Sequence, residues 1–259
     1  MRGLSTLLRK ELLESWRTYR MPIVIGLFAL VGLTAPLLAK FLPEIITAAG
    51  GDALGGLEIP TPTAADAVLQ VQKNLGQFGA LAAILLAMGA VASELERGTA
   101  AFVLVHPVGR GAFLAAKAIA IGLVLVLSVA VAIALGWFYT AILFGPPDVV
   151  AWVWLGVLSW LALSAWAALT FLASALTGSA IAAAGLGFVA LLAISLVAAV
   201  PAITRWTPSG LSGAATALAT GTTNVSDLGL DLWAPIVATV VLIGACLGLA
   251  IASMRRREL

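Results

Sequence analysis

Six apolar stretches dominate the chain, each long enough as a helix to cross a bilayer core that needs about 20 residues. They run approximately over residues 22–41, 75–93, 113–138, 149–176, 179–200 and 232–254. Only Thr177-Gly178 parts the fourth from the fifth, yet a single helix through both would overshoot any bilayer, so the pattern predicts two spans and a tight turn. Residues 4–20 carry a helical period instead. Leu4, Leu7, Leu8, Leu12, Trp16 and Tyr19 fall on one side, Arg9, Lys10, Glu14, Arg17 and Arg20 on the other, and Leu13 is out of phase. This predicts a helix lying in the membrane interface, the alternative being a charged lead-in without defined structure, before Pro22 turns the chain into the bilayer.

The polar segments between spans differ in kind. Residues 43–62 are rich in Gly and Pro and read as a loop, after which Thr63 caps a helix that runs through Lys73 straight into the second span. Residues 201–231 include TPSGLSGAATALATG, too polar and too short to cross; short helices folded back against the protein and a plain loop both fit.

Composition agrees with this reading. The 259 residues are 62% hydrophobic and 10% charged, with mean hydropathy +1.11, well outside the range of soluble domains. The expectation is an all-α integral membrane protein whose residues 1–259 form one domain. The net charge of +2 does not suggest nucleic acid, because the bases are scattered at span ends without exposed aromatics among them. A lone Cys246 excludes an internal disulfide. About twenty polar and amphipathic residues precede the first span, which argues against a cleaved signal.

Lysine and arginine set the orientation. With the N-terminus in the cytoplasm, 11 of the 14 bases lie inside, and Lys40, Lys73 and Arg205 lie outside beside seven acids. Both termini are then cytoplasmic, in a multi-pass protein of the plasma membrane. Trp137, Tyr139, Trp152 and Trp233 are expected at the outer interface, Trp16 and Tyr19 at the inner one.

The loop SELERGTAAFVLVHPVGR, residues 93–110, faces the cytoplasm in this arrangement and is patterned. The second span is expected to continue through Glu94 and Arg97 until Gly98 breaks it. Thr99 can then cap a short helix through Val105, which Pro107 and Gly109 end. Phe102, Leu104 and Val105 would be left exposed on that helix, and apolar side chains on an exposed loop call for a partner. His106 reads as a surface histidine without a special role.

ELERGTAAFVLVHPVGRGAFLAAK resembles the segment between spans two and three of type 2 ATP-binding-cassette exporter permeases, in particular the subgroup of the nitrous-oxide-reductase maturation permease. LLRKELLESWR resembles that family's basic elbow helix, and TPSGLSGAATALATG its segment before the last span; His106 and Gly109 depart from the pattern. The resemblance implies that Glu94, Glu96, Arg97, Gly98, Thr99, Phe102, Leu104, Val105, Pro107 and Arg110 build a coupling helix that docks on a separate cytoplasmic ATPase subunit. It further implies that Arg9, Lys10, Glu11, Trp16 and Arg17 belong to the elbow helix, and that two permease copies work with two ATPase copies. The permease itself would need no cofactor, with ATP and Mg held by the partner.

What the sequence lacks points the same way. No Gly-x-x-x-x-Gly-Lys-Ser/Thr run occurs, so ATP would have to be hydrolysed by another polypeptide. No span carries an ionisable residue at its middle, which argues against a proton- or ion-coupled secondary transporter; Lys40 and Lys117 lie near span ends and are expected to snorkel. A single histidine outside the spans and no paired acids within them leave no constellation for a membrane enzyme. A passive membrane scaffold is the remaining alternative. On the fourth span Ser159, Trp166, Thr170, Ser174 and Thr177 share a face with Trp152 and Leu163, a stripe that either glues helices together or lines a substrate path. SAIAAAGLG in the fifth span and Gly244-x-x-x-Gly248 in the sixth permit close helix approach, within or between copies. The cargo expected is hydrophobic or amphipathic, with a role in the maturation of a partner protein, as in the subgroup it resembles, as the alternative.

Overall fold

The computed structural model describes residues 4–48, 61–96, 98 and 109–256. Its elements are α1 (Leu4–Arg17), α2 (Arg20–Ala48), α3 (Ala64–Asn74), a π-helical segment (Leu75–Gly79), α4 (Ala80–Met88) and α5 (Ala92–Glu96). They continue with α6 (Arg110–Phe144), α7 (Val149–Thr177), α8 (Ala180–Val197), α9 (Pro201–Thr204), α10 (Pro208–Ala219), α11 (Val225–Leu228) and α12 (Leu230–Arg256). No strand occurs among the described residues. Six helical stretches are long and apolar enough to cross a membrane: 20–48, 64–96, 111–144, 149–177, 180–197 and 230–255.

Most spans outrun their apolar cores, because helix geometry keeps satisfying the backbone past the last apolar residue. The first continues through Pro36 and Pro43 to Ala48, taking in residues expected to form a loop; residues 49–60 lie outside the described part. The chain enters it at Thr18–Tyr19, where Tyr19 has φ +59, so the turn comes before Pro22 and Pro22 sits in the first helical turn. The helix leading into the second span begins at Ala64 as expected, held by the Asp66 carboxylate, which accepts from the Thr63 N–H at 2.8 Å and its hydroxyl at 2.7 Å. That span is not one α-helix: residues 75–79 are π-helical and a turn interrupts it at 89–91, ahead of the break expected at Gly98. Gly98 has φ +68, a backbone conformation that suits glycine. The Thr177-Gly178 turn is confirmed, with Gly178 at φ +67, and residues 201–231 form the short helices α9 to α11.

α7 is the hub. Its most apolar window is 67% buried, against 11% for α8 and 17% for α12, so α7 is interior and those two form the rim. α7 packs on α4, α6, α8, α10 and α12, while α2 lies along α6. Lipid tails are as apolar as leucine, so this assembly rests on close packing and interhelical hydrogen bonds more than on a hydrophobic drive. Gly32 shows how tight it is: a β-carbon there would overlap the Ala132 carbonyl. Gly32→Ala is therefore expected to force α2 off α6 and cost about 1–3 kcal/mol, read as a lower melting temperature of the protein in detergent.

Trp152 is not an interface residue. It is 1% exposed, packed against Gly136 and Val71, whereas Trp233 is 55% exposed. Gly187 of α8 meets Thr170 of α7, so SAIAAAGLG serves packing within the chain. Gly244 and Gly248 face open space.

Candidate functional site

The amino end of α1, the end of α5, the start of α6 and the α7–α8 turn gather at one end of the bundle, here called the near end. α1 lies against α6 through Leu4, Leu7, Leu8, Leu12 and Ser15, all partly buried, while Leu13 and Trp16 are 47% and 57% exposed. Glu11 belongs to the buried side. At 100° per residue it falls in the middle of the leucine stripe, facing α6.

There it meets Lys117, whose side chain is 5% exposed. The Lys117 ammonium donates to Glu11 Oε2 at 3.0 Å, Glu11 Oε1 at 3.1 Å and Glu94 Oε1 at 2.8 Å, and sits 5.1 Å from the centre of the Phe113 ring. Lys117 thus does not snorkel as expected; it is consumed by two carboxylates, themselves only 13% and 12% exposed. Lys10 closes the cluster from the solvent side, 3.2 Å from Glu11, 3.3 Å from Glu14 and 3.4 Å from Glu94. Burial of Lys10 opposes its charge, but Glu11, Glu94 and Glu14 outweigh that and hold its pKa above the ordinary lysine value. The cluster joins three elements. Glu94 is at the end of the second span and Lys117 near the start of the third, so the chain on both sides of residues 97–108 is held to α1.

Two further contacts fix the same end. Glu96 Oε1 accepts from the Ala180 N–H at 3.2 Å, which ties α5 to the unsatisfied amino end of α8. Ser174 Oγ accepts from the Val91 and Ala92 N–H groups at 3.2 and 2.9 Å, filling the hydrogen-bond gap left by the 89–91 turn. Ser174→Ala strands both donors in a buried site and is expected to cost about 1–3 kcal/mol, seen as faster amide exchange at Val91 and Ala92 and a lower melting temperature.

Of the residues expected to couple to a partner, Glu94, Glu96 and Gly98 meet here. Arg97, Thr99, Phe102, Leu104, Val105, Pro107 and the adjacent His106 lie outside the described residues, and of Arg110 only the backbone, the first residue of α6, is described. Arg9, Trp16 and Arg17, expected in an elbow helix, are exposed on α1. The α7 stripe divides by depth. Ser174 serves the near end, Thr170 donates to the Trp166 carbonyl of its own helix at 2.9 Å, and Ser159 donates to Gln72 Oε1 at 2.9 Å. Helix glue accounts for Ser159 and Ser174. Lys117 and Gln72 were not among the sequence candidates, and Glu11 was one only as a member of the amino-terminal helix, although an acid centred on a leucine stripe and a lysine within a span each signal a missing counter-charge.

Among curated proteins, the "Uncharacterized transmembrane protein YxlG" of Bacillus subtilis (strain 168) is 27% identical over 146 residues, 56% of this chain and 56% of that protein. The chain therefore aligns with little more than half the length of that relative. Residues 54–259, most of the chain and five of its six spans, match the family described as "Protein of unknown function (DUF2705)". This six-helix chain belongs to the DUF2705 family.

Proposed function

We propose that this chain is the permease subunit of an ATP-driven exporter of a hydrophobic or amphipathic substrate, acting as a pair with two copies of a separate cytoplasmic ATPase. In this reading the near end faces the cytoplasm, supported by the excess of lysine and arginine on that side, and the protein resides in the plasma membrane. One observation carries the reading: the loop whose sequence resembles a coupling helix springs from two roots that a buried Lys117–Glu11–Glu94 cluster clamps to α1. A push on such a loop is transmitted at once to the second span, the third span and the elbow helix, because packed elements shift as units instead of deforming. Glu96 extends the same link to α8. A passive scaffold would have no use for holding the chain on both sides of this segment to α1.

Purification of the full chain from the membranes of its own host, followed by mass spectrometry, tests the proposal. A partner bearing a Gly-x-x-x-x-Gly-Lys-Ser/Thr phosphate loop, in equal number to the permease, is the expected result. Recovery of the chain with no nucleotide-binding partner, under conditions that preserve membrane complexes, overturns it.

A further inference from the structure

A polar cavity opens at the far end of the bundle, between the second span, α7, α8 and α10, with a volume of about 170 Å³. A single water needs only about 10–15 Å³, so the space admits a small headgroup. Gln72, Ser159, Trp166, Ser195, Ser209 and Ser212 line it. Polar groups at membrane depth ordinarily satisfy themselves, and many in this chain do, although the buried hydroxyls of Thr140, Ser164 and Thr239 have no partner among the described residues. Ser128, Thr170, Thr177, Thr216, Thr220 and Ser253 each return their hydroxyl to a carbonyl three or four residues earlier in the same helix.

The cavity gathers several unpaired polar groups into one place. The hydroxyls of Ser195, Ser209 and Ser212 and the indole N–H of Trp166 make no hydrogen bond among the described residues. Gln72 is 8% exposed and gives its oxygen to Ser159, leaving its amide nitrogen without a partner among the described residues. Ser209 belongs to the first turn of α10, a 12-residue helix whose amino end has no side-chain cap. The π-helical segment supplies Leu75 and Gly76, and such segments recur at binding sites because they open the helix.

We propose that this cavity binds the uncharged, hydrogen-bonding headgroup of a lipid-like amphiphile. Among the described residues no lysine, arginine, histidine, aspartate or glutamate lines it, so a charged headgroup would find no counter-charge there, at a cost of about 2.5–3.5 kcal/mol per charge in a membrane interior. Ser195 opens the cavity onto α8, where the neighbouring Leu192 and Leu196 are 49% and 75% exposed, an apolar track for the acyl part. The site belongs to this chain alone and does not depend on an ATPase.

The test uses the purified full chain in phosphatidylcholine nanodiscs doped with one of three diazirine-labelled probes: monoglucosyl diacylglycerol, triacylglycerol or phosphatidylglycerol. After irradiation, adducts are mapped by mass spectrometry. The glucosyl lipid is expected to label 72–76 and 208–212 at least about five-fold more than either other probe. Two lost hydrogen bonds of about 0.5–1.5 kcal/mol each, at 1.4 kcal/mol per tenfold, give the same factor, so Ser209→Ala combined with Ser212→Ala is expected to remove that excess while the melting temperature holds. Should the double variant fail to fold, Ser195→Ala, on the exposed rim, gives a smaller loss in the same direction. Equal labelling by all three probes, preference for phosphatidylglycerol, or no adducts at these positions in folded protein, as when the cavity holds water only, overturns the proposal.

Discussion

Lys117→Met is expected to destabilise the protein by about 3–5 kcal/mol and to free α1 from the bundle. The reason is what the substitution leaves behind. Glu11 and Glu94 are 13% and 12% exposed and share one ammonium; without it both carboxylates lose their closest counter-charge away from water, and Lys10, which also contacts both, is half-exposed. Breaking one partner of a buried ion cluster costs far more than the cluster contributes, because the remaining charge has lost its solvation and its counter-charge together. Thermal unfolding in nanodiscs reads the loss, and protease cleavage after the exposed Arg9 and Arg17 reads the release of α1. The triple variant Lys117→Met, Glu11→Gln, Glu94→Gln removes the stranded charges and is expected to regain most of the stability. A single variant that melts like the wild type, with α1 still protected, would mean that the cluster does not hold the near end.

Deleting residues 99–105 is expected to bring ATP hydrolysis by the complex down to that of the free ATPase, an effect of an order of magnitude or more if the loop is the route of coupling, while the six spans insert normally. The deletion leaves Glu94, Lys117 and Glu11 in place, so the body of the protein is not weakened. Glu94→Lys is a poorer probe of the same idea. It puts a third cation within reach of Lys10 and Lys117, which lie 3.4 and 2.8 Å from the present carboxylate, and so disrupts the fold along with any docking. Hydrolysis that survives the deletion would remove the loop from the coupling path.

The spans, the tight Thr177-Gly178 turn and the helix that starts at Ala64 were legible in the sequence because each is set by local forces: apolar length, a glycine at positive φ and a reciprocal cap. α1 was legible as a helix from its leucine period, but its attachment was not. Lys117 reads as a residue near a span end, and only the tertiary packing of α1 on α6 brings it within 3.0 Å of a glutamate 106 residues away. The phase of Glu11 on the leucine stripe was the available sign, and it pointed to a partner without naming one. Trp152 misled for a related reason. Its place near a span end matches an interface tryptophan, and its burial follows from a glycine at 136 that opens a slot on the neighbouring helix. The π-helical segment and the 89–91 turn have no local signal at all, since their backbone groups are satisfied by a distant residue, Ser174, in the one case and by altered helical pairing in the other.

The central claim is that free energy enters this chain through the 97–109 loop from a nucleotide-hydrolysing partner. The most direct measurement is vanadate-sensitive ATP hydrolysis by the purified complex in nanodiscs, set against the isolated partner and against the same complex lacking residues 99–105. Hydrolysis raised by the intact permease and returned to the level of the isolated partner by the deletion is the predicted result. Hydrolysis indifferent to the permease, with or without the loop, would contradict the account.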